Sequence, residues 1–154
     1  MDSTCGGAPV SLPQYAESIV ETPLEQVIVD GRLAAIIVRD SFRPEGIQFV
    51  TPTEFSQQLG FMRRPAGYQI QPHIHQHVER ETTLTQEVLY VRVGRVRVDF
   101  YGDDETLRES REIRAGDVIL LSAGGHGFAM LEDSELIEVK QGPYLDDKRR
   151  FQPR

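Results

Sequence analysis

The feature that most constrains the fold is a series of short segments that suit β-strands and are separated by glycine turns. Residues 95–101 (RVRVDFY) alternate polar and apolar side chains, which gives a strand one wet face and one buried face. Residues 87–93 are β-branched and aromatic, and Gly94 separates the two segments. Further strands are predicted at residues 27–29, 33–38, 67–75, 110–113, 118–121, 126–130 and 136–140. Short strands in such a series predict an all-β sandwich or barrel.

The chain is expected to form one domain with a short tail at each end. Its 154 residues suit a single core. Residues 1–15 are rich in Gly, Ser and Pro, which predicts a flexible tail. Residues 16–145 form the predicted domain, and residues 146–154 form a charged, solvated tail.

Two local signals come before the main run of strands. The Asp-Gly pair at residues 30–31 lies between two strand-like segments, which predicts a hairpin turn. Residues 51–59 open with Thr-Pro-Thr and stop at Gly60, a pattern that predicts a short helix. Either Thr51, with proline at the first helical position, or Thr53 is its N-cap.

Composition excludes several classes of function. The formal net charge is -7, so the chain is a poor partner for nucleic acid and for an anionic membrane surface. The single cysteine, Cys5, excludes an intramolecular disulfide and a thiolate zinc cluster. No apolar run reaches the roughly 20 residues of a membrane span. A start without a basic region and an apolar stretch favours the cytoplasm.

Three of the four histidines, His73, His75 and His77, are spaced by two residues. On a strand this spacing puts their side chains on one face, where neutral imidazoles can hold one transition-metal ion. The alternative is that such histidines are solvent-facing residues of a half-buried strand. For His77 the two possibilities are a polar group near the metal and an exposed loop residue, and we favour the loop residue.

The region from Gly67 to Gly94 resembles the first sequence motif of the cupin family. That motif consists of Gly, five residues, His-x-His, a short gap, Glu, six residues and Gly. Here five residues separate Gly67 from His73, and six separate Glu87 from Gly94. Residues 116–128 are similar to the second cupin motif, which ends in a further histidine, here His126.

This resemblance covers residues 67–140 and implies a double-stranded β-helix, or jelly-roll, barrel. It also implies one divalent transition metal, Fe, Mn, Ni or Zn, as the cofactor. The ligands that it implies are His73, His75, Glu87 and His126.

The sequence departs from the family pattern in the interval before the glutamate. Eleven residues, 76–86, separate the last histidine of the motif from Glu87, and they predict a loop over the mouth of the barrel. Glu79 and Glu81 are therefore alternative carboxylates, although only Glu87 lies six residues before the turn glycine. Ser122 also replaces the usual proline of the second motif.

Neighbours of the implied ligands on the same strand faces are candidate substrate-binding residues. For Phe128 and Met130 the alternative is a place in the barrel core, as for most apolar residues of a strand. The side-chain amides of Gln69 and Gln71, together with His77, would supply polar groups beside an apolar cavity, which suits a small organic ligand. The candidates are Gln69, Gln71, His77, Phe128 and Met130.

Three classes of function remain open. One is a metal-dependent enzyme of the isomerase, epimerase or dioxygenase type, acting on a small organic molecule. The Lys-Gln-Gly-Pro-Tyr run at residues 140–144, together with the metal motif, is similar to uncharacterised cupins associated with polysaccharide biosynthesis, which implies a sugar-derived substrate. The second class is a non-catalytic ligand-binding or sensor cupin, and the third is a closed structural metal site. Fold analogy implies a homodimer.

Overall fold

The protein is described by a computed structural model that covers residues 22–154. This part of the chain contains ten β-strands and no helix. All of the strand pairs are antiparallel. The strands are β1 (Leu24–Val29), β2 (Arg32–Val38), β3 (Gly46–Phe49), β4 (Gly60–Arg63), β5 (Glu87–Val93), β6 (Arg95–Tyr101), β7 (Leu107–Arg114), β8 (Val118–Leu121), β9 (Gly125–Met130) and β10 (Glu135–Lys140).

The larger sheet has five strands in the order β1-β2-β8-β5-β10. Its first hairpin turns at Asp30 and Gly31, with Val29 opposite Arg32. Both turn residues have positive φ, 47° and 76°, as a two-residue hairpin turn requires. The predicted hairpin is therefore confirmed, and it places β2 beside β8.

The smaller sheet has three strands in the order β7-β6-β9. The chain passes to it from the larger sheet at Gly94, which separates β5 from β6 and has a φ of 87°. A Cβ atom at this position would lie 2.3 Å from the backbone oxygen of Asp133, so only glycine fits the turn. A two-stranded sheet, β3-β4, completes the fold.

The core lies between the two larger sheets and follows the alternation of the strands. The buried cluster takes Leu89 and Val91 from β5, and it takes Val96, Val98 and Phe100 from β6. Successive side chains point to opposite faces, which leaves the intervening residues outside this core. The described chain is thus an all-β protein, as the sequence predicts.

A buried ion pair joins the turn before β8 to the end of β2. Asp117 is 1% exposed, and its carboxylate accepts hydrogen bonds from Arg39 Nη1 at 2.9 Å and from the backbone N of Asp40 at 2.9 Å. Arg39 is also bonded to Glu25 at 2.7 Å and to the carbonyl oxygen of Glu112 at 2.6 Å. The buried charges are therefore paired and hydrogen-bonded, as burial requires.

The prediction of a helix at residues 51–59 is wrong. This segment is a loop that joins β3 to β4, with a backbone hydrogen bond from Val50 N to Leu59 O at 2.9 Å. Side chains take the place of helical hydrogen bonds: Gln58 Nε2 donates to the carbonyl oxygens of Pro52 and Phe55. The first turn of a helix is unfavourable to form, and in this short segment the hydrogen bonds of the loop replace those that would offset its cost.

The segment from residue 64 to residue 86 contains no strand, although alternation at residues 67–75 predicts one. Most of its side chains are exposed, including Ile74 at 88%. Without a partner strand, alternating residues gain neither ladder hydrogen bonds nor a buried face. The alternation therefore does not by itself produce a strand here.

Candidate functional site

A cleft with a volume of about 890 Å³ lies between the two main sheets. One wall comes from β5 and β10, and the opposite wall comes from β9 and the end of β6. Residues near the C-terminus form a third side. Its apolar lining includes Leu89, Phe128, Met130 and Leu136.

Glu87 and His126 meet in this cleft. Glu87 is the first residue of β5, where it pairs with Leu121 of β8 and Lys140 of β10, and it is only 7% exposed. His126 lies on β9 opposite Phe100. Its Nε2 atom is 3.2 Å from Oε2 of Glu87, so the two facing sheets bring a carboxylate and an imidazole into contact.

Two lysines complete the surroundings of Glu87. Lys140 Nζ is 3.5 Å and Lys148 Nζ is 3.9 Å from its Oε1 atom. Lys140 also contacts Glu138 at 2.7 Å, and this hydrogen bond raises the pKa of the lysine. One nearly buried carboxylate is thus faced by an imidazole and two ammonium groups.

The Glu87–His126 pair fits two positions of a transition-metal site. Carboxylate oxygen and imidazole nitrogen are suitable donors for Fe, Mn, Ni and Zn. Two donors on one ion, each at about 2.1 Å and separated by 90° to 109°, lie about 3.0 to 3.4 Å apart. The observed 3.2 Å falls in this interval. The same separation also suits an ion pair, so the geometry permits both uses.

His73 and His75 form a second pair, away from the first. Their ring centroids are 5.2 Å apart, and His73 Nδ1 lies 2.9 Å from the carbonyl oxygen of Gln71. Both are exposed on the strandless segment. Within residues 22–154 no three His, Cys, Asp or Glu side chains are close enough to hold one metal ion. The four predicted ligands therefore form two pairs rather than one cluster.

The predicted substrate-binding residues divide in the same way. Phe128 and Met130 line the cleft, and the ring of Phe128 lies 5.6 Å from that of His126. Gln69, Gln71 and His77 are exposed on the segment before β5. His77 lines a separate shallow depression, together with Glu79 and Glu81.

Sequence reasoning missed the contribution of the C-terminus to the cleft. The sequence predicts a charged, solvated tail at residues 146–154, and most side chains there are exposed. Lys148 nevertheless reaches Glu87, and the ring of Phe151 packs edge-on against Tyr101 with centroids 5.3 Å apart. An aromatic residue in an otherwise charged tail was the one signal for such packing.

Comparison of the chain with protein families, with curated proteins and with solved structures finds no match. Residues 22–154 contain no helix that is long and apolar enough to cross a membrane.

Proposed function

We propose that the protein is a metal-binding cupin that acts on a small organic molecule in the cleft between its sheets. The observation that carries the proposal is the contact of Glu87 with His126 in the cleft between the sheets. The resemblance to the cupin motifs implies these two residues as ligands, and they come from different sheets. Two donors of the correct chemistry at 3.2 Å support a shared ion.

A way to complete the ligand set follows from the edge of the smaller sheet. Strand β9 is hydrogen-bonded to β6, and no second described strand pairs with it. An open edge is a template for another strand. Residues 67–75 alternate and have no partner in the described part of the chain. Pairing of this segment along β9 would bring His73 and His75 toward His126 and would create the jelly-roll arrangement.

The chemistry of the site follows from its lining. A bound metal would supply a Lewis acid for a carbonyl or enediolate or, if it is iron, a centre for oxygen. Leu89, Phe128 and Met130 would hold the carbon skeleton of the ligand and exclude water. Lys140 would hold a proton beside Glu87, because its hydrogen bond to Glu138 favours the ammonium form.

A non-catalytic ligand-binding or sensor protein is the second candidate. It is favoured by the ion pairs of Lys140 and Lys148 with Glu87, because a carboxylate that is already paired needs no metal. Such a protein would be stabilised by its ligand without turning it over. The homodimer is likewise a proposal, and light scattering of the purified chain would test it.

Titration calorimetry of the purified, metal-free protein with Mn(II), Fe(II), Ni(II) and Zn(II) tests the proposed function. We expect one ion per chain and at least about 10-fold weaker binding in Glu87→Gln and His126→Ala. Glu135→Gln, an exposed glutamate of β10, is the matched control and should bind as the wild type does. Glu79→Gln tests the alternative carboxylate. Absence of binding, or binding that only Glu79→Gln weakens, would contradict the assignment.

A further inference from the structure

The C-terminal residues 147–154, here named the C-terminal strap, lie along the mouth of the cleft without forming a strand. Side-chain contacts fasten the strap at several points. Thr85 Oγ1 donates to Asp147 Oδ2 at 2.6 Å, and Arg149 Nη1 is 2.5 Å from Glu105 Oε1. The backbone N of Arg154 donates to the carbonyl oxygen of Glu105 at 3.3 Å.

Between these fastenings the strap faces the interior of the cleft. Phe151 packs on Tyr101, and it also approaches Gly125, where an added Cβ would lie 3.1 Å from the ring. Lys148 lies 3.9 Å from Oε1 of Glu87. The strap therefore runs beside the first residues of β9 and places a positive charge at the carboxylate of the candidate site.

We propose that the C-terminal strap is a displaceable cover, and that its Lys148 is an internal cation that competes with a divalent metal ion for Glu87. This inference rests on the proposed function, because it assumes that Glu87 is a metal ligand. Lys148 is thus a regulatory residue that acts through Glu87.

The contacts that hold the strap are weak enough for a bound ion to displace it. Glu87 is nearly buried, so its charge requires a cation nearby. The side chains of Lys148, Arg149 and Arg154 are 50%, 73% and 73% exposed. An ion pair whose ammonium group is half exposed and lies 3.9 Å from its carboxylate contributes little to stability and is weakened by salt. A divalent ion coordinated by Glu87 would repel the ammonium group, and the strap would lose its inner contact.

Linkage makes the proposal testable from both sides. If metal binding releases the strap, then weakening the inner contact must strengthen metal binding by the same factor. Trypsin reports release, because it must enclose the backbone on both sides of the bond that it cleaves. We therefore expect cleavage after Lys148, Arg149 and Arg150 to be faster when the strap has left the cleft. The full-length protein is used throughout, with Mn(II) alone as the probe and intact mass spectrometry as the readout.

We expect Mn(II) to accelerate cleavage of the wild-type strap by about threefold or more, the effect of losing one weak ion pair. Glu87→Gln should remove this dependence on Mn(II). Glu105→Gln should accelerate cleavage without metal, because it loosens Arg149 and leaves Glu87 intact. Equal cleavage rates for Glu105→Gln and the wild type would show that Glu105 does not hold the strap in place, which would contradict the proposal.

The affinity of Mn(II) is then measured by calorimetry in two strap variants. Lys148→Gln should bind Mn(II) about threefold or more tightly than the wild type. Arg150→Gln, which lines the same cleft from the same strap, is the matched control and should show a smaller change. If the wild type binds Mn(II) but neither cleavage nor the Lys148→Gln affinity changes, the strap proposal fails alone. If no form binds Mn(II), the proposed function fails with it.

Discussion

Substitution Asp117→Ala tests whether the buried ion pair stabilises the junction of β2 and β8. The substitution removes a carboxylate that is 1% exposed and that accepts from Arg39 Nη1, Asp40 N and Arg114 N at 2.9, 2.9 and 3.1 Å. Arg39 keeps its contact with Glu25, which offsets part of the loss.

The expected cost follows from the groups left without their acceptor. A buried hydrogen bond to a charged group contributes about 1.5 to 3 kcal/mol, and a buried donor left without an acceptor costs about 1 to 3 kcal/mol. These effects overlap, and breaking a buried pair by removing one partner typically costs about 3 to 5 kcal/mol. We expect a loss in that interval, a large part of the about 5 to 15 kcal/mol that stabilises a typical domain.

Urea unfolding followed by circular dichroism measures this loss. Asp117→Asn keeps the shape of the side chain and one acceptor oxygen, so its cost should be intermediate. Asp103→Ala is the control, because Asp103 pairs with Arg32 at an exposed position. A loss below about 1 kcal/mol for Asp117→Ala would refute the reasoning, since an exposed ion pair contributes no more than that.

Two further predictions test a turn and a surface carboxylate. Gly94→Ala should lower the free energy of unfolding by more than Gly31→Ala does, and urea unfolding of both variants measures the difference. Both glycines have positive φ, but only at Gly94 would an added Cβ atom lie against backbone. Similar losses would refute the close approach. The Thr106 hydroxyl and backbone N–H lower the pKa of Asp104 from 3.8 to about 2, so its stabilisation is complete above pH 3.8 and is lost as the pH falls towards 2. Asp104→Asn should therefore flatten the fall in the urea midpoint between about pH 4 and pH 2, and an unchanged slope would contradict the assignment.

The strands that sequence predicted best are those whose pattern and partners agree. Residues 87–93 and 95–101 form β5 and β6 with the predicted limits, because β-branched residues, alternation and Gly94 all favour the same structure. Strands β3 and β4 were not predicted, since Gly46–Phe49 and Gly60–Arg63 have only four residues each and the second has two apolar residues in succession. Their pairing depends on the loop between them.

The candidate site was predictable only in part. Motif spacing selected Glu87 and His126, and the packing of two sheets brings them together. It also selected His73 and His75, but alternation describes a strand's faces and does not specify its partner. The contacts of Lys148 arise from the path of the last residues back to β5, some sixty positions earlier, which local patterns do not encode.

The central claim is that Glu87 and His126 share one metal ion, and a crystal of the protein grown with Mn(II) or Zn(II) tests it most directly. Anomalous difference maps at the metal edge locate the ion without reference to the sequence. We predict one peak per chain, about 2.0 to 2.2 Å from His126 Nε2 and from an oxygen of Glu87, with His73 and His75 completing the ligand set. A peak bound only by residues 73–81, or no peak in the cleft, would contradict the claim.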